Sequence, residues 1–226
     1  MTAMNDRPSK DTLYNAFSGV AKALASGRRA ELVDVLAQGE RSVDDLAAEI
    51  GQSVANTSQH LRVLAHAGLV RTRRDGTRIF YDLASERVAE LWAAVRDVAA
   101  EHVAGIDRFA DAYLGPADDI ETVTREELLR RLRRRDVIVL DVRPTPEYEA
   151  GHVRGARSVP PDELDVRLQT VPDDVEVVAY CRGPFCVYAN DAVRALQQRG
   201  VRARRLEGGY PEWRRAGLPV ASSKGA

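Results

Sequence analysis

The two cysteines of this chain stand at the ends of one six-residue stretch, Cys181-Arg182-Gly183-Pro184-Phe185-Cys186. An apolar run over 175–180 precedes it, and a helical pattern over 187–199 follows it. A thiol placed where a buried strand hands over to a helix faces converging backbone N–H groups and the positive end of a helix dipole. Both lower its pKa and hold a charged sulfur without a metal. Gly183 relaxes the loop backbone, Pro184 stiffens it and removes one donor, and Arg182 adds positive charge at the mouth, suited to an anionic donor such as thiosulfate. Cys181 is therefore the candidate nucleophile, with Arg182, Gly183, Pro184, Phe185 and Cys186 as its loop. Asp141 and Arg143 close an earlier apolar run over 137–141, at the carboxyl edge where open α/β sheets place their sites, and Asp141 reads first as a structural hydrogen-bond acceptor. Two readings of Cys186 stay open. It is either a small buried residue in the first helical turn or a second thiol that resolves a persulfide on Cys181.

A second constellation lies upstream, over 53–68. Val54, Thr57, Leu61 and Leu64 fall at helical spacing and are expected to face a core, behind the expected cap Ser53. The opposite face carries Ala55, Asn56, Ser58, Gln59 and Arg62, with His60 and His66 as structural or groove-contacting residues. A short helix, a turn through Gly51 and then this helix form the pattern of a helix-turn-helix. Asn and Gln pair bidentately with adenine, and Arg favours guanine. Arg71, Arg73, Arg74, Thr77 and Arg78 surround the hairpin signal Asp75-Gly76 and suit a wing against backbone phosphates or a minor groove. A solvated helix face and a charged edge strand would use the same residue types, but helix followed by wing favours DNA.

These residues need elements to hold them. Periodicity predicts helices over 11–25, 28–37, 43–50, 54–67 and 85–113, with the strands of the hairpin over 70–72 and 78–82. Ser42 with Asp45 three residues later resembles a capping box. Leu114-Gly115-Pro116-Ala117-Asp118-Asp119 is a breaker cluster. Beyond it, strands over 137–141, 175–180 and 201–206 alternate with helices over 124–134, 163–168 and 187–199, which predicts a mainly parallel sheet covered on both faces. The expected organisation is a mainly α winged helix-turn-helix domain over 1–114, a linker over 115–118 and an α/β domain over 119–226. The 226 residues suffice for two cores, and 44% hydrophobic with 30% charged residues is ordinary for a globular protein. No apolar run nears the ~20 residues that cross a bilayer, and the first ten residues lack the apolar core of a secretory signal. Two closely spaced cysteines, with none elsewhere, give no disulfide scaffold, so a reducing cytoplasm is expected. The net charge of −1 requires any DNA-binding surface to be a local patch.

Residues 17–84 resemble the ArsR family of winged-helix regulators. The resemblance rests on VAKALASGRRAELVDVLAQGERSVDDLAAEIG, the segment SVANTSQHLRVLAHAGLV and the hairpin RTRRDGTRIFYDL. It implies a homodimer, joined mainly by its first and last helices, that binds double-stranded operator DNA of two-fold symmetry and usually represses. Leu91, Trp92, Val95, Val98, Ala99, His102, Val103 and Ile106 would then face the partner. Many members of that family sense metals through the sequence ELCVCDL. The matching stretch here is Glu40-Arg41-Ser42-Val43-Asp44-Asp45-Leu46, with no thiol, so neither a metal site nor a cofactor is expected.

Residues 119–220 resemble a single rhodanese domain through VIVLDVRPTPEYEAGHVRGARSVP, the CRGPFC loop and LEGGYPEWRRAGLPV. That family implies a cysteine that takes sulfur from a small donor (thiosulfate, a persulfide or a polysulfide) as a persulfide and passes it on. By the same resemblance Asp141 and Arg143 support the loop, His152 belongs to a structural motif and Trp213 to the core, and a phosphatase is disfavoured because Val187 stands where the loop's closing arginine would be. The expected function is a cytoplasmic DNA-binding regulator, read as a repressor, whose rhodanese domain senses or processes reactive sulfur through Cys181. The rivals are a sulfurtransferase that DNA binding merely localises, and a binding module with an idle thiol.

Overall fold

The computed structural model describes residues 6–115 and 120–223. The last four residues of the breaker cluster (116–119), the first five residues of the chain and its last three lie outside the described residues. By packing, the chain divides into two compact units, 1–97 and 98–226.

In the first unit, α1 (Arg7–Leu24), α2 (Gly27–Leu36), α3 (Val43–Glu49) and α4 (Val54–His66) surround a core that includes Leu32, Leu36, Leu46, Leu61 and Leu64. A two-residue strand β1 (Arg41–Ser42) joins the hairpin β2 (Val70–Asp75) and β3 (Arg78–Leu83) in the antiparallel order β1-β3-β2. The loop of that hairpin is Gly76-Thr77, one residue later than the Asp75-Gly76 signal suggested. Gly76 takes φ 59°, the left-handed region that glycine enters without strain. Val88 and Ala89 on α5 (Glu86–His102) complete the core.

The pattern over 85–113 predicts one helix, and the structure has two, α5 and then α6 (Ile106–Leu114). Gly105 lies between them at φ 89°, which ends the right-handed hydrogen-bond ladder and starts a new one. Apolar spacing continues across the break, so periodicity alone does not reveal it.

In the second unit, five strands pair in parallel in the order β4-β9-β8-β5-β7. They are β4 (Thr122–Val123), β5 (Ile138–Asp141), β7 (Arg157–Ser158), β8 (Val177–Tyr180) and β9 (Ala203–Leu206). Alternate residues of β8 face opposite layers. Val177 and Ala179 pack with α9 (Leu164–Leu168) and α10 (Val187–Gln198), whereas Val178 and Tyr180 pack with α7 (Arg125–Arg134) and α11 (Tyr210–Arg215). A small antiparallel pair joins β6 (His152–Val153) to β10 (Val220–Ala221), and α8 (Thr145–Ala150) lies between β5 and β6 in the chain. Among the described residues no helix is long and apolar enough to cross a membrane.

Leu128 is fully buried beside Trp213 and Val178. Leu128→Ala is expected to cost roughly 2–5 kcal/mol through lost burial and the cavity left behind. Urea unfolding followed by Trp213 fluorescence, in a Trp92→Phe background, measures this directly. An unchanged midpoint would remove Leu128 from the core.

Candidate functional site

Ser53 caps α4, its Oγ accepting from Asn56 N at 3.2 Å. Thr57, Leu61 and Leu64 are buried as the spacing requires, but Val54, expected in the core, is 43% exposed. It occupies the first helical position, ahead of the turn that meets the core. Ser53, Ala55, Asn56, Gln59 and Arg62 are exposed, and Ser58 and His60 are half-buried beside them. The structure therefore brings the predicted reading face together on one helix.

The wing arginines have different partners. Arg71 is bonded to Asp82, its cross-strand neighbour, with Nη2 to Oδ2 at 2.5 Å. Arg73 forms a fork to Glu40 at 2.9 and 2.7 Å and lies over the Phe80 ring. Hydrogen bonds donated to these carboxylates raise both arginine pKa values, Asp82 acting on Arg71 and Glu40 on Arg73. Two of the four predicted phosphate contacts thus fasten the hairpin within its own unit. Arg74 reaches the Gly76 carbonyl, and neither it nor Arg78 nor Arg62 is tied to a carboxylate among the described residues. Thr77 is exposed at the tip. Ser42, at the place of a family thiolate, caps α3 by accepting from Asp45 N at 3.2 Å and donates to Asp45 Oδ2 at 2.7 Å.

At the carboxyl edge of the parallel sheet, Asp141 and Tyr180 end neighbouring strands in register. Both are fully buried, as is Arg143. The Asp141 carboxylate accepts from Arg143 N (3.0 Å), Nε (2.9 Å) and Nη2 (2.5 Å), and from Tyr180 OH (2.6 Å). Tyr180 OH in turn accepts from Val153 N at 3.0 Å. Burial works against the Arg143 charge, but Asp141 more than reverses it, so the guanidinium stays charged. Burial, and then Asp141, push the Tyr180 phenol well above its ordinary value. Arg143 also donates to Gly151 O at 2.6 Å and lies 4.1 Å from the centre of the Tyr210 ring. Tyr210 N donates to Cys181 O at 3.0 Å. This chain of contacts runs from the Asp141 carboxylate to the backbone of Cys181.

Arg182 departs from expectation. It does not present its charge at the loop mouth, because it is paired with Glu147, Nε at 3.0 and 3.1 Å and Nη2 at 2.5 Å. Glu147 is buried and needs that partner. The cation that touches the loop is one that sequence reasoning missed, Arg205 on β9. It donates to Pro184 O and to Asn190 Oδ1, both at 2.9 Å, and has no carboxylate partner among the described residues. Burial lowers its pKa. Its only sequence signal is the arginine pair that interrupts the apolar run over 201–206.

Cys181 is also a correction. The expected ionised thiol in an amide cradle is here a disulfide to Cys186, 1% exposed and packed in the apolar cluster with Val142 and Ala189. The physical reason is the loop's tight closure, with the two Cα atoms 6.2 Å apart and Cys186 at the N-cap of α10. Gly183 is buried, Pro184 half-buried and Phe185 exposed. Gly209 packs so tightly on the loop that a Cβ there would collide with Gly183 N and with Cys181 O. His152 stacks on Tyr148 and its Nδ1 donates to Tyr148 O at 2.8 Å, while Trp213 is fully buried.

A helix-turn-helix with a hairpin wing, and a parallel sheet with a cysteine loop at its carboxyl edge, define a winged-helix regulator joined to a rhodanese-like unit. Comparison with known proteins agrees. The family described as bacterial regulatory protein, arsR family, matches residues 26–72, and the rhodanese-like domain family matches 124–216. HTH-type transcriptional regulator Rv0324 of Mycobacterium tuberculosis is 46% identical over 220 residues, 97% of this chain and 96% of the relative. A sulfurtransferase of Allochromatium vinosum is 32% identical over 108 residues, 47% of this chain and 99% of the relative. A solved structure, the homodimeric winged helix-turn-helix DNA-binding domain Mb0332 (fragment 1-100) of Mycobacterium bovis, shares 45% identity. It covers 46% of this chain and 94% of that one, with a TM-score of 0.42. The chain belongs to the ArsR family of HTH-type transcriptional regulators and carries a C-terminal rhodanese domain.

The buried phenols give a pH test. Tyr148, Tyr180 and Tyr210 all have raised pKa values, with burial the leading cause in each. The folded state holds these protons more tightly than the unfolded chain, whose tyrosines titrate near 10. Stability that is complete below about pH 10 therefore falls as pH rises past it. Tyr180→Phe is expected to flatten that fall, read from urea midpoints across this range. An identical slope in the variant would contradict the burial assigned to Tyr180.

Proposed function

We propose that this protein is a homodimeric, cytoplasmic, DNA-binding regulator, a repressor, whose rhodanese domain senses reactive sulfur through a persulfide on Cys181. One observation carries the reading. Cys181 directly follows β8 at the carboxyl edge of a parallel sheet, anchored through Tyr210 and Arg143 to a buried carboxylate, in a chain whose other unit exposes Asn56, Gln59 and Arg62 on one helix face. The reduced loop is the reactive form, since only a thiolate takes up sulfur. Asp141 and Arg143 support it without touching substrate. With Arg182 neutralised by Glu147, the mouth suits a persulfide or polysulfide better than doubly charged thiosulfate.

Dimerisation is supported by apolar side chains left in water. Leu13, Tyr14 and Phe17 on α1, and Leu91, Val95 and Val98 on α5, are all exposed, the latter three at i, i+4 and i+7. Trp92, Ala99 and Ile106 are half-buried, with Trp92 Nε1 donating to Asp34 at 2.7 Å, so Trp92 belongs to the fold of one protomer. His102 and Val103 are exposed and remain candidates for the same interface. A second reading, a sulfurtransferase that DNA binding localises, is favoured by the likeness to the A. vinosum sulfurtransferase. Turnover of a persulfide donor that operator DNA leaves unchanged would favour it.

Operator DNA selected from a random duplex pool provides the main test. A persulfide donor is expected to change the affinity of the reduced wild type roughly 5- to 150-fold, the range of ordinary coupling energies, and to leave Cys181→Ser unmoved. Equal affinity under all four conditions eliminates sensing. Arg62, Arg74 and Arg78 on both protomers would neutralise about six phosphates, giving a slope of log K against log salt of about −5. Arg78→Ala is expected to reduce that slope by about 2. An unchanged slope would remove Arg78 from the phosphate contacts.

A further inference from the structure

We propose that the Cys181–Cys186 loop is a single-turnover reductase of sulfane sulfur. Cys186 resolves the Cys181 persulfide, hydrosulfide departs, and the disulfide seen in this structure is the product. The inference rests on the Cys181 reading above and adds a second reacting thiol and a released product.

Both cysteines are fixed to rigid elements. Cys181 follows β8 and is held by Tyr210 N, and the backbone beside it is packed against Gly209. Cys186 is the N-cap of α10, and Arg205 links the loop between them, through Pro184 O, to Asn190 of that same helix. The two Sγ atoms are bonded within this frame, with their Cα atoms 6.2 Å apart. An intramolecular thiol so placed acts at an effective concentration far above that of any dissolved acceptor.

The steps balance. The Cys181 thiolate attacks the outer sulfur of a low-molecular-weight persulfide RSSH. A bond forms to that sulfur, and RS⁻ leaves. The Cys186 thiolate then attacks Cys181 Sγ, the bond from Sγ to the outer sulfur breaks, and its electron pair departs as HS⁻. In sum, RSSH and two protein thiols give RSH, one protein disulfide and hydrogen sulfide. The sulfane sulfur gains two electrons and the two thiols lose two. The Arg205 cation, hydrogen-bonded to the loop and without a carboxylate partner among the described residues, favours both the thiolates and the anionic leaving group.

The test uses the full chain, reduced with a phosphine, freed of it and kept anaerobic, with one equivalent of glutathione persulfide. Intact mass and released sulfide are both read. The wild type is expected to lose two hydrogens and release one equivalent of sulfide. Cys186→Ser, with Cys186→Ala as a second variant, is expected to gain one sulfur on Cys181 and release none. A wild type that retains the added sulfur and releases no sulfide overturns the inference while sparing the Cys181 persulfide. Cys186 variants that gain no sulfur overturn both.

Discussion

Asp141 and Arg143 form an ion pair from which water is excluded altogether. A carboxylate taken into such an interior is stable only when every lone pair is met, and here two arginine nitrogens, a backbone amide and a phenol meet it. Removing one partner of a buried pair of this kind costs about 3–5 kcal/mol, a large part of a domain's net stability. That cost makes the arrangement rigid. Its rigidity then spreads outward, since Arg143 grips Gly151 and underlies Tyr210, and Tyr210 holds the first cysteine by its backbone. Close packing reinforces this frame. A side chain on Gly151 would collide with the Tyr210 hydroxyl, and one on Gly209 with the loop itself.

The winged-helix unit solves a different problem with the same chemistry. Its hairpin must keep a positive tip while its strands stay in register. Cross-strand pairing of Arg71 with Asp82, and the Arg73 fork to Glu40, serve the register. Being exposed, such pairs contribute little stability individually and serve mainly to orient the hairpin. Arg74 and Arg78, near the tip, are tied to no carboxylate among the described residues. The whole chain is nearly neutral, so this division of arginines decides where positive potential appears.

Much of this was legible in the sequence, and the exceptions share a cause. The long helices, the hairpin, the strands at 138–141 and 177–180 and the Ser42 cap follow from local periodicity and capping, which need only neighbours in the chain. Two-residue strands such as β1 and β6 carry no period, and the short helices α8 and α11 begin at proline-containing segments that read as loops. Gly105 is a single residue whose effect depends on its φ angle. At the site, residue types were visible but pairings were not. Nothing in the spacing tells that Arg182 meets Glu147, thirty-five residues away, or that Arg205 comes beneath the loop. Long-range ion pairs arise from topology, and topology is set by the fold as a whole.

Arg205 makes the chemistry of the loop and its electrostatics inseparable. In the disulfide form this cation donates to the neutral oxygens of Pro184 and Asn190 and has no carboxylate partner among the described residues. A thiolate or persulfide anion on the same loop would supply the missing opposite charge in a site of low dielectric, where such an attraction is far stronger than in water. On the proposed reading, reduction and oxidation of the loop would change the energy of a buried charge as well as a covalent bond. A charge change of this kind at a fixed frame biases whichever conformation of the surrounding elements solvates the cation best, and such a bias is what a switch requires. A surface cysteine, with water to screen it, would transmit far less.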